Sequence, residues 1–329
     1  IFDAEGLPDV HDYVGIWEVV RRSLDLAHLE GELKRDVLRE PARYVVGDTL
    51  VAQTLLEQKM AGKRLVLITN SEWSYTNPVM AHAFDTYLPE GMTWRDLFSV
   101  IIVESRKPGF FRGRHRMLQI HDEVGERLSP FNAPLEEGGV YLGGDAESLE
   151  TLLGVAGDRI LYVGDHIYGD VIVSKRLQQW RTCLILPELE DEVEALQNHR
   201  GAQAQINQLM EQKEAQEARL NQAKVAELNG TKRDQDNWAS IAAEAGDAIA
   251  ALDAELGDLL GSMNDGKNPY WGELMRAGND ESLLASQVER FACLYTSRVS
   301  NLGFHTPNRY YRAARSTLPH DPDVSRWAE

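Results

Sequence analysis

The chain has 329 residues, of which 43% are hydrophobic, so it can bury a full core and is long enough for about two domains. Its 34 Lys and Arg residues against 52 Asp and Glu residues give a formal net charge of −18. That excess of negative charge argues against a generic nucleic-acid-binding surface. A protein of this charge that handles phosphates must use local devices, namely backbone amides, one or two lysines, or a divalent cation.

The cysteines and the apolar runs indicate a cytoplasmic protein. Cys183 and Cys293 form neither a CxxC pair nor a zinc-spaced cluster, so we expect reduced thiols. The longest apolar runs, such as 65–69 and 100–103, are too short to span a bilayer, and we expect no membrane partner. Because the chain starts at Ile1 rather than Met, we expect its natural start to lie upstream.

The first part of the chain predicts helices and then an α/β sheet. Residues 13–40 carry apolar residues at helical spacing, and residues 51–60 do the same before Ala61-Gly62 ends the pattern. Short apolar strands then alternate with helix-compatible stretches, which predicts a parallel sheet covered on both faces, with ligands beyond the carboxyl ends of its strands. The strands are predicted at 64–69, 99–105, 139–144, 159–165 and 182–188, and the helices at 78–87, 114–126, 147–153 and 171–179.

The stretch from 189 to 263 is rich in Ala, Gln, Glu and Leu and contains no Pro. Its apolar residues at 249, 252, 256, 259 and 263 are spaced by three and four, and Asn229-Gly230 offers a turn midway. We predict two long antiparallel helices, which suit packing within the chain or self-association into a homo-oligomer. The sequence becomes helical again around 283–302 and ends in a Pro-bearing tail.

Two carboxylates follow one of the predicted strands. In "YVGDHIYGDVI" (162–172), Asp165 comes directly after the strand and Gly164, and Asp170 stands at the start of the next predicted helix. Both can point into the crevice at the sheet edge, where Mg²⁺ takes a few carboxylates together with phosphate oxygens. The alternative is that Asp170 caps the helix and Asp165 only ends the strand. These residues alone leave both interpretations open.

Two further loops add polar groups at the same edge. Thr69-Asn70-Ser71 could offer hydroxyls, an amide and backbone N–H groups to an anion, or form an ordinary turn. Lys107 follows the strand at 99–105 and precedes a Pro, so its ammonium could neutralise a phosphate or simply be solvated. Strand-Thr, strand-Lys-Pro and strand-Gly-Asp-x₄-Asp, in this order, are more specific together, because all three could surround one phosphate.

With these motifs the chain resembles the cytosolic purine 5′-nucleotidase family of the haloacid dehalogenase superfamily. The resemblance rests on "TNSEWSYT", "RKPGFF", "GDHIYGDVIVSKRLQQWRTCLILPEL", "DLAHLEGELK", "ASQVERFACLYTSRVSNL" and "RAARSTLPHD". It implies an α/β fold with a haloacid-dehalogenase-like Rossmannoid parallel sheet, a helical cap and a long helical-hairpin insert. The implied domains are a cap-derived helical segment at 1–60, the core at 61–188, the insert at 189–263 and a C-terminal helical segment on the core at 264–329.

The resemblance also implies an activity, the Mg²⁺-dependent hydrolysis of purine nucleoside 5′-monophosphates. The implied roles are phosphoryl binding by Thr69, Asn70 and Ser71, charge neutralisation by Lys107, and metal binding by Asp165 with support from Asp170. Arg21, Asp25 and His28, in "RRSLDLAHLEG", match the residues that grip the nucleoside. Leu29 stands where an aromatic residue is expected, which leaves the base preference open. A nucleotide effector site would fall at Tyr168, Arg176, Gln287 and Phe291.

The superfamily's D-x-D-x-[TV] loop is absent from the sequence. In that loop one Asp forms an aspartyl-phosphate and the other works as general acid and base. "FDAEG" (2–6) has the wrong spacing, and "DPDVS" (321–325) follows every other motif. We therefore expect the nucleophile in an N-terminal segment outside this chain. Two alternatives stay open, a phosphatase for another small phosphate ester and an inactive scaffold that binds a nucleotide or phosphate.

Overall fold

The computed structural model of the chain describes residues 13–122, 124–131, 134–229, 232–262, 268, 270–278 and 280–312. The chain forms two compact units, the first comprising Ile1–Ile185 with Arg290–Glu329 and the second Leu186–Glu289.

The α-helices in the described residues are α1 (Tyr13–Glu30), α2 (Glu32–Arg39), α3 (Pro41–Tyr44), α4 (Thr49–Met60), α5 (Trp73–Phe84), α6 (Ala146–Leu153), α7 (Val173–Gln178), α8 (Leu189–Asn198), α9 (Arg200–Asn229), α10 (Lys232–Ser262) and α11 (Leu283–Phe291). The strands are β1 (Val66–Ile68), β2 (Val100–Val103), β3 (Met117–Ile120), β4 (Leu128–Pro130), β5 (Gly139–Gly143), β6 (Leu161–Gly164), β7 (Arg181–Ile185), β8 (Arg276–Ala277), β9 (Asp280–Glu281) and β10 (Leu294–Thr296). None of these helices combines the length and apolarity that a bilayer crossing requires.

The first unit contains two sheets, where the sequence predicted one. Five strands lie in the order β1-β2-β5-β3-β4, and three lie in the order β10-β7-β6. Parallel pairing is confirmed for β1, β2 and β5 and for β6, β7 and β10. β3 pairs antiparallel with both β4 and β5. The protein is therefore a mixed α/β fold, and within the described residues β1 and β6 each form the edge of a sheet.

β2 shows why an uninterrupted apolar run forms a strand here. Val100 and Ile102 pack into one buried cluster, whereas Ile101 and Val103 pack into another. All four residues are at most 2% exposed. Because successive side chains of a strand point to opposite faces, both faces of β2 are covered and no position can be polar. The prediction of a strand buried on both faces is confirmed for β2.

The stretch 114–126, predicted as a helix, instead forms β3 and the turn of a hairpin with β4. The Asp122 carboxylate accepts the backbone N–H groups of residues 124–127 and so closes the turn. Gly125, with a φ of 86°, supplies the left-handed residue that this turn requires. The helical prediction was wrong because this local turn chemistry outweighs the helix-compatible spacing of the apolar residues.

The predicted helix at 283–302 also ends earlier than expected. α11 stops at Phe291, and the chain then enters β10 beside β7. Thr182 of β7 forms two hydrogen bonds with the backbone at this point. Its Oγ1 donates to Phe291 O at 2.8 Å, and its carbonyl accepts from Cys293 N–H at 3.0 Å. Pairing with an existing strand therefore outweighs the helical periodicity of the sequence.

α9 and α10 of the second unit form an antiparallel pair. Lys213 on α9 bonds to Asp253 on α10 at 2.7 Å, and the later Arg219 bonds to the earlier Glu244 at 3.3 Å. The apolar seam between the two helices consists of Ile206, Leu209, Leu252, Leu256 and Leu259. Met263, predicted as part of this seam, lies outside the described residues, as do the segments at 2–6 and 321–325.

Candidate functional site

Three loops leave the carboxyl ends of strands in the first unit. β1 leads into Thr69-Asn70-Ser71, β2 into the loop 104–108, and β6 into the loop 165–170. Because β1 and β2 are parallel, the first two loops leave their sheet at the same edge. The ion pair between Lys107 and Asp170, 3.0 Å long, brings the third loop to them. The sequence motifs thus meet at one place.

The Thr69 loop continues the pairing of β1 with β2. Thr69 N–H donates to Ile102 O at 2.9 Å, and Ser105 N–H donates to Thr69 O at 3.0 Å. Ser71 N–H donates to Thr69 Oγ1 at 3.1 Å. A hydroxyl that accepts one hydrogen bond keeps its own proton for another acceptor. The half-buried Thr69 hydroxyl is therefore suited to donate to an oxygen of a phosphate.

Asn70 fixes the backbone of the Lys107 loop. Its Oδ1 accepts from Lys107 N–H at 2.6 Å and from Ser105 Oγ at 3.0 Å, and its Nδ2 donates to Lys107 O at 3.1 Å. Glu104 and Arg106 adopt positive φ angles of 47° and 58°, which are costly for residues with a Cβ and persist where the surroundings hold them. The hydrogen bonds of the Asn70 side chain hold this backbone conformation. The contact of Asn70 with a phosphoryl group stays a prediction.

Lys107, Tyr162 and Asp170 form a closed hydrogen-bond network. Lys107 Nζ lies 3.0 Å from Asp170 Oδ1 and 3.0 Å from the Tyr162 hydroxyl, which donates to Asp170 Oδ1 at 3.0 Å. The side chains of Lys107 and Asp170 are only 18% and 6% exposed. Burial, followed by the charge of Asp170, raises the pKa of Tyr162 far above its usual range. The phenol therefore stays protonated and remains a donor.

The position of Asp170 depends on Gly164 and His166. A Cβ at Gly164 would lie 2.5 Å from Asp170 Cβ and 2.7 Å from its Cγ, so only glycine permits this approach. Asp170 Oδ2 accepts His166 N–H at 3.2 Å. The π-helical turn Ile167–Ile172 is capped by His166, whose Nδ1 accepts from Gly169 N–H at 2.8 Å. Asp170 is thus directed at Lys107 and does not cap its own helix.

Asp165 differs from Asp170 in its surroundings. Asp165 is exposed and forms no hydrogen bond or ion pair with any residue that the structure describes. Asp170 already accepts from Lys107, Tyr162 and His166. Mg²⁺ usually binds one or two carboxylates together with substrate phosphates and waters, so Asp165 fits as its ligand. Over the described ranges, no three His, Cys, Asp or Glu side chains are grouped to hold a metal by themselves. A Mg²⁺ site that takes further ligands from the substrate phosphate and from water does not require such a group.

The nucleoside-binding residues predicted from the sequence lie on α1. Arg21 Nε lies 3.7 Å from Asp25 Oδ2, and both side chains are exposed. Among the residues described, neither forms a hydrogen bond or ion pair with the three loops. The backbone of His28 lies in α1, whereas its side chain is not described. The structure therefore joins Arg21 to Asp25, but among the described residues it shows no hydrogen bond or ion pair from this pair to the three loops.

The predicted effector site is brought together in part. The guanidinium carbon of Arg176 lies 4.7 Å from the centroid of the Phe291 ring, which is a cation–π contact. The half-exposed Tyr168 accepts a hydrogen bond from Arg112 at 2.8 Å. Gln287 belongs to the second unit.

Sequence reasoning missed two features of the site. Tyr162, in a strand that was predicted only from its apolar character, joins Lys107 to Asp170. Lys34 on α2 forms an ion pair with Glu72 at 2.5 Å and so ties α2 to the residue that precedes α5, directly after the Thr69 loop. A Tyr two residues before Gly164 in a buried strand is a visible signal, because a buried phenol needs a partner. Lys34 carries no comparable signal.

Comparison with known proteins shows the family of the chain. A family model described as the 5′ nucleotidase family matches residues 4–323. The chain is also similar to a 5′-nucleotidase domain-containing protein of Dictyostelium discoideum, with 26% identity over 308 residues. That alignment covers 93% of this chain and 49% of the relative, so the chain spans about half the length of the curated relative that it matches.

Proposed function

Since the chain belongs to the 5′ nucleotidase family, we propose that it forms the phosphate-binding part of an enzyme that hydrolyses nucleoside 5′-monophosphates to nucleosides and phosphate. The observation that carries the proposal is the Lys107 ammonium, which Tyr162 and Asp170 hold at the strand ends. In a protein of net charge −18, a partly buried cation gives the phosphate a local attraction. Thr69 and Ser71 add donors for the phosphoryl oxygens.

The proposed mechanism is of the haloacid dehalogenase type. An Asp carboxylate attacks phosphorus, the nucleoside leaves, and water then hydrolyses the aspartyl-phosphate. The printed sequence contains no D-x-D-x-[TV] loop, so the attacking Asp would come from a segment outside it. An inactive scaffold is the alternative that this missing motif favours.

The arrangement of the sheets supports such a segment. β1 ends the five-stranded sheet and β6 ends the three-stranded sheet, while Lys107 and Asp170 join the loops above them. An edge strand offers unpaired N–H and C=O groups to a further strand. We propose that the strand carrying the nucleophile lies between β1 and β6, which would unite the two sheets into one haloacid-dehalogenase-like sheet with the attacking carboxylate at the phosphate.

Mg²⁺ bound at Asp165 would supply neutralisation and orientation of the phosphate. We further propose purine nucleotides as substrates, a cytoplasmic homo-oligomer, and nucleoside contacts from Arg21, Asp25 and His28. A nucleotide effector would bind beside Tyr168, Arg176 and Phe291 of the first unit. The proposed domain ranges remain 1–60, 61–188, 189–263 and 264–329.

The test is phosphate release from a panel of nucleoside monophosphates, with and without Mg²⁺, by the full-length protein. We expect Mg²⁺-dependent turnover that Lys107→Ala lowers by about 100-fold or more, the usual cost of losing one charge-stabilising donor. Asp165→Asn should abolish the Mg²⁺-dependent turnover. Lys224→Ala, which removes an exposed lysine of α9, is the matched control and should leave turnover unchanged.

Three outcomes decide between the candidates. Unchanged turnover in Lys107→Ala and Asp165→Asn would contradict the mechanism. Faster release from sugar phosphates than from inosine and guanosine monophosphates would favour a phosphatase for another small phosphate ester. Binding of a nucleotide by the full-length protein without any turnover would favour the scaffold.

A further inference from the structure

We propose that Tyr162 is a positioning residue that sets the direction in which the Lys107 ammonium faces the phosphate. The inference rests on the proposed function, because it assigns Lys107 to the phosphoryl group. Tyr162 itself is buried and does not touch the substrate in this proposal. It acts through Lys107 and Asp170, to both of which its hydroxyl is bonded at 3.0 Å.

The argument begins with a count of donors and acceptors. An ammonium has three N–H donors, and Lys107 uses one on the Tyr162 hydroxyl and one on Asp170 Oδ1. The third donor remains for an oxygen of the phosphate. Lys107 Nζ, the Tyr162 hydroxyl oxygen and Asp170 Oδ1 form a triangle, and each pair of these atoms is 3.0 Å apart. Rotation of the ammonium about its Cε–Nζ bond therefore breaks at least one hydrogen bond.

The Tyr162 ring is held in place by other aromatic side chains. Tyr162 is 8% exposed, and its ring centroid lies 5.3 Å from that of Phe111 and 5.7 Å from that of Trp180. Phe111 and Trp180 also contact each other at 5.6 Å. Phe111 belongs to the same chain segment as Lys107, so one aromatic cluster supports both the hydroxyl and the loop that it orients. Rigid packing of this kind keeps a supporting side chain in one rotamer.

The hydroxyl also moderates the ion pair. By donating to Asp170 Oδ1, Tyr162 takes part of the negative charge that would otherwise face Lys107 alone. Without the hydroxyl, only Asp170 would hold the Lys107 ammonium. The ammonium could then rotate about its Cε–Nζ bond and turn its remaining N–H groups away from the phosphate. A bound phosphate can still form a hydrogen bond with a rotating ammonium, at a small entropic cost. Stabilisation of the transition state needs the ammonium to be oriented beforehand. The loss should therefore affect kcat more than ground-state binding.

The experiment compares Tyr162→Phe with Tyr141→Phe in the full-length protein. Tyr141 is a matched control because it is buried in the same core cluster and its hydroxyl also has a single protein donor, Glu136 N–H at 2.8 Å. We expect Tyr162→Phe to lower kcat about tenfold while KM changes by less than about threefold, and to weaken inorganic phosphate binding about threefold in calorimetry. Tyr141→Phe should change none of these values.

A double variant separates positioning from packing. In the Lys107→Ala background, Tyr162→Phe should have no further effect on kcat, because the group that it orients is absent. Equal kcat and equal phosphate affinity in wild type and Tyr162→Phe would overturn the inference, as would an equal loss in Tyr141→Phe.

Phosphate binding separates this inference from the proposed function. If the wild-type protein binds phosphate but turns over no substrate, and Tyr162→Phe still weakens the binding, then the proposed function fails and the role of Tyr162 stands. A wild-type protein that neither binds phosphate nor turns over substrate overturns both.

Discussion

Lys107 Nζ lies 3.0 Å from Asp170 Oδ1, although the two residues follow strands of two different sheets. Lys107 comes after β2 of the five-stranded sheet, and Asp170 comes after β6 of the three-stranded sheet. Their ion pair joins the carboxyl ends of both sheets into one site. Because a buried charge depends on its partner, a change at this pair should affect stability as well as activity.

Replacement of the two carboxylates should separate these effects. Asp170→Asn leaves the Lys107 ammonium beside a neutral group, and we expect the free energy of unfolding to fall by about 2–4 kcal/mol. Asp165→Asn changes an exposed side chain and should stay within about 0.5 kcal/mol of wild type. Both variants should lose Mg²⁺-dependent turnover. Denaturant unfolding gives the stabilities, and equal stability of Asp170→Asn and wild type would contradict the role given to the pair.

Two glycine substitutions should act in opposite directions. Gly164→Ala would place a Cβ 2.5 Å from Asp170 Cβ, and we expect a loss of about 1–3 kcal/mol through overpacking. Gly246 lies within α10 with nothing within 4 Å of an added Cβ. Gly246→Ala should therefore gain about 0.5–1 kcal/mol from helix propensity. Denaturant unfolding of both variants checks the pair, and a stable Gly164→Ala would refute the close approach.

The contact between Lys34 and Glu72 should depend on pH. Burial opposes ionisation of Glu72, but the hydrogen bond from Lys34, a backbone hydrogen bond and the charge of Lys34 together outweigh it and lower the Glu72 pKa below its usual 4.5. A carboxylate with a lowered pKa stabilises the fold above its unfolded-state pKa, and the gain is lost as pH falls through the folded-state pKa. Since the Glu72 side chain is 42% exposed, the gain is no more than about 1 kcal/mol.

Comparison with Glu72→Gln isolates that gain. The difference in unfolding free energy between wild type and Glu72→Gln should be largest near neutral pH and should shrink toward zero in acid. Unfolding curves at a series of pH values provide the measurement. A difference that is the same at every pH would show that the ion pair contributes nothing.

The two cysteines should differ in their reactivity. Burial raises the pKa of Cys183 to about 12. Burial acts in the same direction on Cys293, but contacts with the Thr182 backbone and with the Lys175 ammonium at 3.1 Å lower its pKa overall. Because the thiolate is the reactive form, iodoacetamide at mildly alkaline pH should modify Cys293 before Cys183. Peptide mass spectrometry gives the order, and Lys175→Met should slow the reaction of Cys293.

The apolar strands of the first unit could be predicted from the sequence. The runs containing β1, β2, β5, β6 and β7 all form strands, and a strand such as β2, which is buried on both faces, favours a short continuous run of apolar residues. β3 and β10 could not be separated from helix by periodicity. The strand β10 depends on pairing with β7, a contact outside its own segment. The strand β3 ends at a local turn that Asp122 closes, and the spacing of the apolar residues does not show that turn.

For the candidate site, the residue types and the meeting of the loops could be predicted from the sequence, but the surroundings of each side chain could not. Strand ends and their motifs placed Thr69, Lys107 and Asp170 at one edge, since parallel strands share their carboxyl ends. The separate roles that we propose for Asp165 and Asp170 rest on their different burial, and the burial of Asp170 depends on its close approach to Gly164 and on its hydrogen bond with Tyr162. Sequence spacing contains no information on which of two nearby carboxylates is saturated with donors.

The connection between β7 and β10 has an evolutionary consequence. These strands are neighbours and parallel, and a parallel crossover needs only about a dozen residues. Here the chain runs through residues 186–293 before it returns, although α11 alone supplies most of the necessary length. The register of Leu294 opposite Cys183 does not depend on how long this excursion is. We therefore expect insertions and deletions to accumulate between β7 and α11 as the family diverges, while the loop that carries Lys107 keeps its length.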